Sequence, residues 1–154
     1  KIKDSEITDG VIYNPITNEF FWASKGQGAW CNNKRLRVSK RENIETCVIG
    51  TGIPHSMKMK DMHMEEIYNV AKKCSGLRRM GSAAIDLAYV AAGKLDGFWE
   101  RNLNLWDVAS GILLVKEAGG KITELNGNLW NFQSKSILAS NSYIHEIMQN
   151  NLKI

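Results

Sequence analysis

An acid at the mouth of a helix is either a cap or a ligand, and Asp107 stands at such a mouth. It follows Trp106 and precedes the small residues Ala109-Ser110-Gly111. A second acid, Glu100, closes the aromatic run Gly97-Phe98-Trp99 just upstream. Carboxylates in first turns are stabilised by the helix dipole and the open N–H groups there. The same position at a strand-to-helix junction lies at the carboxyl edge of a sheet, where ligands of α/β proteins bind. A hard cation such as Mg2+ takes oxygen ligands, often one or two carboxylates beside other donors. Glu100, if ionised, can only accept hydrogen bonds, which suits substrate hydroxyls. The third chemistry-bearing stretch is Gly81-Ser82-Ala83-Ala84, directly after Arg78-Arg79. Ser82 reads as an N-cap, and a helix start of this kind favours anions such as phosphate esters. Small residues after Asp107 let a backbone or a ligand come close.

Positioning these residues requires alternating strands and helices. The pattern predicts a short strand in GLRRMGS, a helix from Ser82 stopped by Gly93, a strand in LDGFWER and a second apolar helix from Trp106 to Ala118. ETCVIGTG is a continuous apolar run and predicts a buried strand. An amphipathic helix is expected within residues 57–74, beginning around Met59 or later. KITEL and SILAS predict a strand pair, and residues 141–152 a terminal helix capped by Ser140 or Asn141. The first forty residues differ: GVIYN, EFFWAS and the turns at Pro15 and Asn32-Asn33 predict a β-meander. Residues 1–40 are therefore expected to be a β-rich piece and residues 41–154 an α/β layer, with residues 39–45 a surface connection. The fold class is α/β with mixed α+β character.

The composition sets outer limits. The net charge of +4 is mild and spread out, a weak pointer to anionic partners. Lys34-Arg35-Leu36-Arg37, Lys40-Arg41 and Lys72-Lys73 could meet RNA or an acidic protein, but read first as solvated faces. Three cysteines without a C-x-x-C pair suggest neither a disulfide framework nor zinc, and a cytoplasmic setting is expected. No apolar run approaches the ~20 residues of a membrane span. His55, His63 and His145 lack metal spacing and read as surface or loop residues, the cysteines as core, and Trp22, Trp30, Trp99 and Trp130 as packing residues. The methionines between Met57 and Met64 suggest a mobile or interfacial segment.

The stretch RRMGSAAIDLAYVAAGKLDGFWERNLNLWDVASGILLVKEAGGKI resembles the second signature of the inositol monophosphatase family, and most of all its bacterial extragenic-suppressor branch. Its marks are the G-[ST]-A-A helix start, the D-G turn before an aromatic strand and Glu, W-D-x-A-[AS]-G, and E-A-G-G. GVIYNPITNEFFWASKGQGAWCNNKRLRVS resembles the strand region between the family's signatures. The resemblance implies the C-terminal part of a layered αβαβα sandwich and Mg2+-dependent hydrolysis of a phosphate monoester, inositol monophosphate foremost. It implies that Asp107 ligates a catalytic magnesium, that Glu100 contacts inositol hydroxyls, and that Gly81, Ser82 and Ala83 line the substrate pocket. It also implies a homodimer and, through the suppressor branch, a contact with RNA or transcription machinery. Relatives in the superfamily hydrolyse other sugar and nucleotide phosphates. The family's first signature, D-P-[IL]-D-G-T, is absent from these 154 residues. The chain is therefore expected to be a C-terminal portion that is inactive alone, with a sheet edge and an apolar face exposed to self-association.

Overall fold

The computed structural model describes residues 1–53 and 60–152. The readings of His55, Met57 and Met59 lie outside these residues. A small antiparallel pair, β1 (Ile2–Lys3) and β2 (Glu6–Ile7), precedes a four-stranded antiparallel meander. The meander comprises β3 (Asp9–Asn14), β4 (Glu19–Ser24), β5 (Gly28–Cys31) and β6 (Lys34–Arg35). Its turns follow from side chains that mimic backbone. Asn14 Oδ1 accepts from Ile16 N at 3.1 Å, and Asn32 Oδ1 accepts from Phe20 N at 3.0 Å. The pair β1–β2 carries no periodic apolar pattern, and its turn through Asp4 and Ser5 gives no Gly or Pro signal to the sequence reading.

The second sheet holds the functional chemistry. A 3-10 turn (Ile44–Thr46) leads into β7 (Val48–Thr51), then α1 (Lys60–Ala71), β8 (Gly76–Arg78), α2 (Ala83–Ala91) and β9 (Gly97–Arg101). The chain continues through α3 (Leu105–Glu117), β10 (Lys121–Thr123), β11 (Ser136–Ser140) and α4 (His145–Leu152). The strand order is β10-β11-β9-β7-β8. β9 runs parallel to β7 and antiparallel to β11.

The layers stack as meander, α2 with α3, five-stranded sheet, and α1 with α4. Strand periodicity decides which side each residue serves. Phe98, Ile137 and Ala139 join Phe21, Leu87 and Leu114 in the core between the sheets. Trp99 and Leu138, one residue away in each strand, join Val70, Met148 and Leu152 on the far side. Glycines set the closest approaches. A Cβ on Gly111 would lie 2.5 Å from Leu87 Cβ, and one on Gly10 would lie 2.9 Å from Ser110 Cα. The small residues after Asp107 thus admit α2 and β3.

Three expectations are corrected. α3 starts one residue early, at Leu105, with Asn104 at its cap position. The regular helix α4 starts at His145, because Asn141 Oδ1 accepts from Tyr143 N and Ile144 N and folds those residues as a turn. His63 and His145 are buried, not surface residues. His145 is satisfied by Thr123 Oγ1 at 3.0 Å and Ser140 Oγ at 2.7 Å. His63 lies between Glu66 of α1 and the end of β7. Residues 39–45 form a mostly exposed connection, tied down where Asp96 accepts from Ser39 Oγ and Arg41 Nη1 beside Val48 N.

Candidate functional site

A cavity of about 520 Å3 opens where the parallel strands β7 and β9 end and where α2 and α3 begin. This is the carboxyl edge of the sheet, the usual ligand position in such layers. Gly81, Ser82, Ala83, Glu100 and Asp107 all line it. They come from three consecutive elements: the start of α2, the end of β9 and the start of α3.

Local backbone chemistry explains each position. Gly81 has φ +83°, a left-handed conformation that glycine adopts without strain, and it turns the chain from β8 into α2. Ser82 occupies the cap position in extended backbone, but its hydroxyl makes no capping hydrogen bond, contrary to the N-cap reading. The first N–H groups of α2 lack partners within the helix and bring partial positive charge to the cavity. Asp107 is the third residue of α3. Its Oδ2 accepts from Asn104 N at 3.0 Å, so the acid caps its own helix while lining the cavity. Cap and ligand are not exclusive readings, since this hydrogen bond fixes one carboxylate oxygen and thereby aims the group.

Glu100 stands on β9 and faces the α2–α3 side, like Phe98 two residues before it. Burial pushes its carboxyl above the ordinary glutamate value, and the nearby Asp107 charge adds to this, while His63 and Arg79 oppose it. Gly52, just past β7, lies against the Glu100 carboxylate so closely that a Cβ would overlap it.

Four cavity residues carry more than the sequence reading gave them. Arg79 read only as part of a basic strand, yet it lines the cavity and supplies its cationic side. Leu103 and the exposed Trp106 form an apolar rim. Asp86 is the fourth. It is 1% exposed, its Oδ1 has no hydrogen-bond partner, and burial together with the Glu100 charge pushes its carboxyl up to about 7. Within Ala83-Ala84-Ile85-Asp86-Leu87 an acid reads as the polar side of a helix. Only the tertiary approach of Gly50, whose Cβ would sit 2.8 Å from Oδ1, reveals its enclosure.

A carboxylate of this kind fits a hard cation in donor type. In donor number it does not: among the described residues, no three His, Cys, Asp or Glu converge as a metal site. No described helix is long and apolar enough to cross a membrane.

The sequence profile of the inositol monophosphatase family matches residues 2–153. The inositol-1-monophosphatase of Caulobacter vibrioides is 49% identical over 142 residues, which are 90% of this chain and 56% of that protein. The Nus factor SuhB of Pasteurella multocida is 44% identical over 119 residues, 77% of this chain and 45% of that protein. Among solved structures, the extragenic suppressor protein SuhB of Bartonella henselae superposes with a TM-score of 0.93 at 50% identity. That match covers 96% of this chain and 58% of the other. The chain spans about half the length of the curated relatives it matches.

Proposed function

The chain belongs to the inositol monophosphatase family, and on that premise we propose that it forms the substrate-side wall of a Mg2+-dependent phosphate monoesterase acting on inositol monophosphate. One observation carries the reading: a single cavity gathers the anion-favouring start of α2, the hydroxyl-accepting Glu100 and the oxygen donor Asp107. In this reading the substrate phosphate faces the N–H groups at Gly81, Ser82 and Ala83. Its ring hydroxyls donate to Glu100, and Asp107 supplies one ligand to magnesium. Bound magnesium would stabilise charge on phosphate and leaving oxygen. One carboxylate holds such an ion weakly, because affinity rises with the number of charged ligands. These 154 residues are thus proposed to bind substrate without turning it over. Homodimerisation and a cytoplasmic setting belong to the same proposal.

The test is a titration of the chain with myo-inositol 1-phosphate, followed by amide shifts in the NMR spectrum. The expected result is saturable shifts centred on Gly81, Ser82 and Ala83, weakened about tenfold by Glu100→Gln, with no phosphate release in Mg2+. Shifts elsewhere, or efficient Mg2+-dependent release by the chain itself, would overturn the reading.

A second role has one specific support, the Nus factor SuhB name of relatives such as that of Pasteurella multocida. Lys34, Arg35, Arg37 and Lys40 are exposed beside one another, although Arg35 also stacks over Trp30 at 5.7 Å. In that role the chain contacts RNA or transcription machinery through these cations. Its mark is RNA affinity that falls steeply with salt; affinity unchanged by charge reversal at Lys34, Arg35 and Arg37 would exclude it.

A further inference from the structure

Behind the cavity, on the α1 side of the sheet, lies a carboxylate that the functional reading does not use. Glu66 is fully buried. Its Oε1 accepts from Arg101 Nε at 2.8 Å and Arg101 Nη2 at 2.5 Å. Its Oε2 accepts from Trp99 Nε1 at 3.1 Å and meets His63 Nδ1 at 3.1 Å. Burial alone would raise its pKa, but the donors from His63, Arg101 and Trp99 outweigh burial and hold the carboxyl below the ordinary value.

The placement of the donors matters more than their number. Trp99 and Arg101 flank Glu100 on β9. Successive strand residues point to opposite faces, so fixing both neighbours to α1 turns Glu100 toward the cavity. His63 extends the same hold to the other side of the Glu100 carboxylate. Its Nε2 faces the carbonyl of Gly52, the residue whose Cα abuts that carboxylate. One buried acid thus grips the strand on both sides of Glu100 and, through His63, the backbone against which Glu100 rests. A buried ionic cluster is weak evidence for stability, because apolar residues of the same volume often serve as well. Defined geometry is the better account of this one.

We propose that Glu66 is a positioning residue for substrate recognition: by binding Trp99, Arg101 and His63 together it sets the direction and depth at which Glu100 meets the hydroxyls of a polyol phosphate. The proposal rests on the reading that Glu100 contacts substrate, and the experiment separates the two.

The experiment is a double-mutant cycle on the chain, with myo-inositol 1-phosphate as probe and amide shifts as readout. Glu66→Gln keeps the shape but cannot accept all four donors. It is expected to weaken binding about fivefold and Glu100→Gln about tenfold, while the double variant matches Glu100→Gln alone, because Glu66 acts only through Glu100. Losses that multiply to about fiftyfold, or no loss in Glu66→Gln, overturn the positioning role. Trp99→Phe removes one donor, keeps the ring and covers the case in which Glu66→Gln does not fold. It is expected to weaken binding about twofold with the same lack of additivity, and multiplied losses there count equally against the proposal. If Glu100→Gln binds like the parent, the substrate reading fails instead. The Glu100 carboxyl 13C titration then decides positioning on its own: a midpoint moved by Trp99→Phe, which loosens the clamp without changing any charge, supports it, and an unmoved midpoint rejects it.

Discussion

The Glu100 carboxylate lies against the Cα of Gly52, with no room for a Cβ between them. The contact joins the ends of two parallel strands, β7 and β9, and makes a glycine part of the cavity wall. Gly52→Ala must therefore displace Glu100. The expected result is about tenfold weaker binding of myo-inositol 1-phosphate, with stability lowered by about 1–3 kcal/mol, the usual range for overpacking. Titration and urea unfolding of the same variant check both, and unchanged binding would show that Glu100 does not touch the ligand.

Two buried groups give the stability opposite slopes with pH. Asp86 is pushed from the ordinary 3.8 up to about 7 by burial and by Glu100. Between those values the folded chain holds a proton that the unfolded chain has lost, so stability falls as pH rises toward 7. His145 is lowered from 6.5 to about 4, by burial first and then by Lys121. There the unfolded chain binds the extra proton, so stability falls as pH drops from 6.5 toward 4. The two effects oppose each other across the acid range, each by up to about 1.4 kcal/mol per pH unit. Asp86→Asn is expected to leave the histidine slope alone, giving a chain that destabilises steadily from pH 6.5 to 4. His145→Gln leaves the aspartate slope alone, and stability then falls from pH 4 to 7. Urea unfolding at half-unit pH intervals measures both.

The two duties of Asp107 can be separated. Asp107→Asn keeps an oxygen for the Asn104 N–H and loses the charge, whereas Asp107→Ala loses both. Asp107→Ala is expected to cost about 1 kcal/mol more than Asp107→Asn, the worth of a helix cap. Both should abolish paramagnetic broadening by Mn2+, a Mg2+ surrogate, at Trp106 and Ala83. Broadening that survives in both variants would place the cation elsewhere.

The outer face of the meander carries Val11, Tyr13 and Phe20, each at least 43% exposed, on neighbouring strands in register. A contiguous apolar patch of this kind favours association. Sedimentation velocity should show mass rising with concentration, and Val11→Lys with Phe20→Lys should hold the chain monomeric. A parent chain that stays monomeric at high concentration would contradict this.

Much of the site was legible because its residues sit where elements start and stop. Gly81, Ser82 and Asp107 punctuate helices, and Glu100 ends an aromatic run, so local chemistry marked them and the topology brought them together. Asp86 was not legible, because an acid inside an alanine-rich helix looks solvated until Gly50 closes over it. His63 and Glu66 stand three apart on α1, a spacing that places both on one face. Only burial against Trp99 and Arg101 turns that face into a clamp. The early start of α3 goes with the hydrogen bond from Asn104 N to Asp107 Oδ2, and the late start of α4 with the Asn141 side chain, whose Oδ1 accepts from Tyr143 N and Ile144 N.

The place of β9 between β7 and β11 has a consequence for synthesis on the ribosome. The meander closes through contacts between neighbours in sequence, so it can form while translation continues. β9 cannot: one partner precedes it by a whole helix, strand and second helix, and the other follows after α3 and β10. Such distant pairings form slowly, since loop closure must precede their reward. The strand that carries Trp99 and Arg101 is therefore flanked on both sides only after β11 has emerged. Until then the apolar faces of a half-built sheet are open to chaperones.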